Sequence, residues 1–90
     1  MKYGKKVDKF IRGLIGTDVR GAMYATDEDL NYTEVSSLED SEFVILSKGG
    51  NMFRISLIGG KLGITHNART YKSIRTQADM ISLMEEHLFQ

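Results

Sequence analysis

Phe43-Val44-Ile45-Leu46-Ser47-Lys48-Gly49-Gly50-Asn51-Met52-Phe53-Arg54-Ile55-Ser56-Leu57-Ile58-Gly59-Gly60-Lys61-Leu62-Gly63-Ile64-Thr65-His66 carries the sharpest structural signal in the chain. Three β-rich runs, Phe43–Ser47, Met52–Ile58 and Lys61–His66, are separated by Gly49-Gly50 and Gly59-Gly60. Glycine pairs suit the positive φ angles of two-residue hairpin turns, so the stretch reads as a three-stranded antiparallel β-meander. With each pair at the central turn positions, Lys48 faces Asn51, Leu46 faces Phe53, Val44 faces Ile55, Ile58 faces Lys61, Leu57 faces Leu62 and Ile55 faces Ile64. Alternation then gathers Val44, Leu46, Phe53, Ile55, Leu57, Leu62 and Ile64 on one face, the expected core. The other face carries Phe43, Ile45, Ser47, Met52, Arg54, Ser56, Ile58, Lys61, Gly63 and Thr65. That mixture is neither a clean solvent face nor a buried one, so a helix, the segment 17–41 or a partner is expected to cover it.

Helices are expected on either side. Val7, Phe10, Ile11, Leu14 and Ile15 recur at helical period, with Lys5, Lys6, Lys9 and Arg12 opposite and Gly16 suited to a left-handed cap. Thr76-Gln77-Ala78-Asp79 has the spacing of a capping box, and Ala78, Ile81, Met84 and Leu88 continue as a stripe. Between them, Val19–Tyr24 has the composition of a strand and Thr26–Asp29 that of a capped helical turn. The expectation is an α+β domain spanning 1–90, in the order N-terminal helix, three-stranded antiparallel β-meander, C-terminal helix. Ninety residues are enough for one modest core.

Composition narrows the chemistry. The chain has no cysteine, which excludes disulfides, thiolate nucleophiles and zinc-thiolate sites. Its start is basic without the apolar run of a signal peptide, and no stretch is long enough for a membrane span, so a cytoplasmic protein is expected. The net charge of zero conceals a segregation. Residues 21–47 carry seven acids and no Lys or Arg, whereas 48–75 carry six Lys/Arg and no acid.

That basic segment suggests a nucleic-acid-binding module using Lys48, Lys61, Arg69, Lys72 and Arg75, since cations neutralise phosphates. The competing expectation is that the acids of 27–42 neutralise the same bases within the molecule. The helix–three strands–helix order is similar to that of double-stranded-RNA-binding domains and small toxin nucleases. The residues those families need are absent: the last helix opens Thr76-Gln77-Ala78-Asp79 instead of with a lysine cluster, and His66 ends a strand instead of following an early glycine.

Asp27-Glu28-Asp29-Leu30-Asn31 begins like a calcium loop, but Tyr32 stands where the loop needs Gly and Leu38 where it needs Glu. His66 and His87 have no metal-binding spacing, and Gly59-Gly60-Lys61 lacks the first glycine of a phosphate loop. No cofactor, metal site or catalytic residue is therefore assigned, and an enzyme would have to rest on His66. The leading expectation is a small non-catalytic protein-binding module. It would act as an inhibitor or regulator of a partner protein, of the phage or mobile-element type, through Phe43, Met52, Arg54, Ile58 and Lys61, residue types enriched at interfaces. A partly apolar sheet face also suits pairing of two copies.

Overall fold

A computed structural model describes residues 2–14 and 16–89, with only the backbone of Ile58. Ile15 of the first helical stripe lies outside the described residues. The elements are α1 (Lys5–Gly13), β1 (Arg20–Thr26), β2 (Tyr32–Val35), β3 (Phe43–Lys48), β4 (Asn51–Ile58), β5 (Lys61–His66), β6 (Arg69–Thr70) and α2 (Gln77–Leu88). The strands form one antiparallel sheet in the order β2-β1-β3-β4-β5-β6.

The meander sits at the centre of this sheet with the register its turns dictate: Leu46 pairs with Phe53, Val44 with Ile55 and Ile55 with Ile64. Gly49, Gly50, Gly59 and Gly60 all have positive φ, between 56 and 84°. A side chain at these turn positions would be strained even though space is open around each.

The expected three strands are nevertheless six, which corrects the helix–three strands–helix order. Segment 17–41 does not cover the meander; it forms β1 and β2 and widens the sheet, pairing Tyr24 with Phe43 and Met23 with Val44. The expected helical turn at Thr26–Asp29 is a hairpin connection. Thr26 donates its hydroxyl to Glu42 Oε2 at 2.6 Å, and the Asp27 carboxylate accepts from the backbone N–H groups of Asp29 and Asn31, both at 2.9 Å. An aspartate holding the N–H groups two and four residues on favours a turn as readily as it caps a helix.

Both helices lie on one side of the sheet and run in the same direction. Gln77, at the start of α2, accepts with Oε1 from the N–H groups of Lys6 and Val7 at 2.8 and 3.0 Å. At the other ends the Phe10 and Phe89 rings stand 6.0 Å apart. Val7, Ile11, Met80, Met84 and Leu88 bury themselves against Val44, Leu46, Phe53, Ile55 and Ile64. The loop after β2 adds Leu38 to this core and buries Ser41, whose hydroxyl donates to Leu38 O and accepts from the Tyr3 hydroxyl at 2.6 Å. Asp8, fully buried, accepts from the N–H groups of Lys2 and Tyr3 at 3.0 and 2.9 Å. No described helix is long and apolar enough to cross a membrane.

Candidate protein-binding face

The face away from the helices is built by the register. One row across it reads Glu34, Tyr24, Phe43, Ser56, Gly63; the next Ala22, Ile45, Arg54, Thr65, Thr70; the third Arg20, Ser47, Met52. Phe43 is the hub of the first row. Its ring stacks on Tyr24 at 5.2 Å, meets the edge of Tyr32 at 5.0 Å and lies under the Arg54 guanidinium at 4.3 Å. Each aromatic pair of this kind adds roughly 0.5–1.5 kcal/mol beyond its buried area, and an exposed cation–π contact about 0.5–1 kcal/mol. Phe43 is thereby only 6% exposed without any helix above it, while Tyr32 is 63% and Met52 48% exposed.

Ala22, between Arg20 and Tyr24 on one strand, makes a depression. A recess of about 430 Å³ opens over Ala22 and Ile45, walled by Arg20 and Tyr24. Through Arg20 and Ser47 it runs into a second hollow of about 380 Å³ that reaches Met52 and the Gly49-Gly50 turn. Among the described residues Arg20 and Arg54 have no carboxylate partner, and the ion pair present joins Lys48 to Asp18 at 3.1 Å. The chain matches no protein-family model, no curated protein and no solved structure. The face must therefore be read from its own chemistry.

Of the residues expected at a protein-binding site, Met52 and Arg54 stand exposed on this face. Phe43 belongs to it as scaffold under Tyr24, Tyr32 and Arg54. Lys61 is exposed at a far corner, opposite the backbone of Ile58, whose side chain lies outside the described residues. The residues missed are Arg20, Ala22, Tyr24 and Tyr32. The alternation Arg20, Ala22, Tyr24, Thr26 was their signal, muted because Gly, Ala and Met are weak strand formers.

The basic residues do not gather. Successive turns of an antiparallel meander lie at opposite ends, so Lys48 and Arg69 sit near the Gly49-Gly50 end while Lys61 and Arg75 sit by Gly60. The two ends are about 23 Å apart along the seven steps of β4, at ~3.3 Å per residue. Lys72 lies in the connection to α2, where its carbonyl accepts from Arg75 Nε at 3.3 Å. The acids of 27–42 do not neutralise these bases by ion pairing among the described residues, with Glu39 set aside. Asp27 is occupied by backbone N–H groups, and Asp40 and Glu42 by the hydroxyls of Ser37 and Thr26.

His66 is on the helix side, its ring stacked on Phe53 at 4.4 Å and the same distance from His87. Its Nε2 meets Asn51 Oδ1 at 2.9 Å. Burial, and secondarily the neighbouring His87, hold its pKa below the ordinary 6.5. Among the described residues no group of three or more His, Cys, Asp or Glu is placed to hold a metal.

Proposed function

We propose that this chain is a small non-catalytic protein-binding module, and that it engages its partner through the uncovered sheet face. The observation that carries this reading is the placement of segment 17–41. It extends the sheet instead of roofing it, so Arg20, Ala22, Tyr24, Ile45 and Ser47 line an open recess, with Arg54 beside Ile45 in the same row and Met52 in the adjoining hollow. Tyrosine and arginine are the side chains that most often dominate interface energetics. Here they stand on strands, whose rigidity limits the entropy lost on docking. A module of this kind acts by occupying a partner's surface, as an inhibitor or regulator does. The dispersal of Lys48, Lys61, Arg69, Lys72 and Arg75 over both ends of the sheet favours this reading over a continuous phosphate track.

Two variants test the face: Arg54→Glu, which reverses its charge, and Ala22→Arg, which fills the recess. Lys9→Glu, on the exposed side of α1, is the control. A protein retained by immobilised wild type and by the control is expected to bind both face variants at least about tenfold more weakly. Equal binding by all the variants refutes the assignment.

A further inference from the structure

The connection between β1 and β2 is built as a rigid knob. Asp27 N donates to Asn31 O at 2.9 Å, Leu30 N donates to Asp27 O at 3.1 Å, and the Asp27 carboxylate holds two further N–H groups. This network fixes Leu30 at φ 62°, a left-handed conformation that a leucine adopts only under constraint. Leu30 is 82% exposed, at the tip, and Asp27, Glu28 and Asp29 precede it directly. An apolar knob flanked by carboxylates is the complement of an apolar recess with guanidinium groups on and beside its wall. The molecule carries both: Leu30 with its three acids, and the Ala22–Ile45 recess with Arg20 on its wall and Arg54 beside Ile45 in the same row. Among the described residues neither set of charges is ion-paired within the chain.

We infer that the partner of the open sheet face is a second copy of this chain, related by a two-fold axis through Tyr24, with the hairpin tip of each copy seated in the recess of the other. This rests on the proposed reading of that face as a protein-binding surface. The spacing along one strand supports the axis. Arg20 lies four strand positions before Tyr24, about 13 Å at ~3.3 Å per residue, and the acidic tip with Glu28 lies beyond the other end of the same strand, past Thr26. Two β1 strands laid antiparallel across Tyr24 therefore bring Arg20 of each copy toward the acidic tip, with Glu28, of the other. Tyr24 and Tyr32 of both copies meet at the centre, where large aromatic contacts count most. The contact is the same patch on both sides, so it closes as a dimer and leaves no free end to grow a filament. A net charge of zero puts no general repulsion between the copies.

The full chain is examined by sedimentation velocity from micromolar to submillimolar concentration, at about 50 and about 500 mM salt, where screening differs strongly. A dimer that loosens with salt is expected. Arg20→Glu and Glu28→Arg are both at exposed positions and leave the core untouched. Each alone sets like charges together twice per dimer and is expected to weaken association by about tenfold or more. An equimolar mixture of the two is expected to dimerise again, because each copy then offers the other two opposite pairs. A chain that stays monomeric at every concentration, or a dimer that mixing does not rescue, as with edge-to-edge pairing of β2, overturns the inference. A monomeric wild type whose captured protein is still lost on Arg54→Glu overturns the dimer alone and leaves the binding face standing. A dimer indifferent to Arg20→Glu, in a chain whose capture is also indifferent to Arg54→Glu, overturns both.

Discussion

Phe53 and Arg54 are neighbours in β4, and replacing each by alanine separates the two faces of the sheet by their energetics. Phe53 is 0% exposed, with its ring stacked on His66 at 4.4 Å and 6.0 Å from His87. Truncating such a phenylalanine costs about 3–5 kcal/mol in transfer and cavity terms. A domain of this kind has a total stability of roughly 5–15 kcal/mol, so Phe53→Ala removes a large share of it. Arg54 is exposed, and its specific contact is the guanidinium over Phe43. Its loss is worth about 0.5–1 kcal/mol, the range of exposed cation–π pairs. Adjacent residues should thus differ by at least ~2 kcal/mol. Urea unfolding followed by far-UV circular dichroism measures this, because the chain has no tryptophan to report. With a slope of ~1–3 kcal/mol/M, Phe53→Ala moves the midpoint by roughly 1–5 M, while at the same slope Arg54→Ala moves it at least about threefold less. Comparable losses for the two variants would mean that Arg54 is covered or the register is shifted, and the open face would lose its basis.

Further consequences follow from single groups. Gln77→Ala removes the acceptor for two N–H groups in the first turn of α1 and should cost about 1–2 kcal/mol by thermal unfolding, while Gln77→Glu keeps the acceptor and adds a charge favourable at that helix end. Asp8→Ala strips the fully buried acceptor of Lys2 and Tyr3 and should cost about 1–3 kcal/mol, with faster hydrogen exchange at the Tyr3 amide. His66 has a folded pKa below 6.5, so the unfolded chain takes up its proton first. The His66 contribution is therefore fully present above 6.5 and is lost as pH falls from there toward the folded value. Unfolding free energies measured between about pH 5 and 8 should show this decline, and His66→Gln should flatten it.

The meander was legible because two Gly-Gly turns set its register residue by residue, and the period-two pattern then named Val44, Leu46, Phe53, Ile55 and Ile64 as core. Both helices were legible from their apolar stripes. The first two strands were legible only in part: Val19–Tyr24 has the composition of a strand and overlaps β1, but the pairing of β1 and the whole of β2 were not legible, for a physical reason. Gly21, Ala22, Met23 and Ala25 carry little intrinsic strand preference, and β1 exists through its pairing with β3, about twenty residues on. Thr26-Asp27-Glu28-Asp29 has the composition of a helix start, yet the Asp27 carboxylate satisfies a turn's N–H groups instead. The segregation of charge along the chain was visible but misleading as geometry, because chain direction reverses at every turn and deals the bases to opposite ends of the sheet.

The same reversal explains why the open face can be apolar at its centre and still be tolerated in a free chain. Phe43, the most apolar residue of its row, would be a liability on an uncovered sheet. Tyr24 and Tyr32, both from the β1–β2 hairpin, pack on its ring, one stacked and one edge-on, and the Arg54 guanidinium lies over it. Because the hairpin lies beside the meander and not over it, Phe43 is hidden while the recess over Ala22 and Ile45 is left empty. A single element thus supplies the cover for the centre of the face, the guanidinium and tyrosine walls of the recess, and the acid-flanked leucine that matches that recess. The consequence is that face and knob are not independent. Any substitution that shifts the pairing of β1 with β3 displaces Arg20, Tyr24 and the tip together, so the recess and the knob stay in register with each other or fail as one.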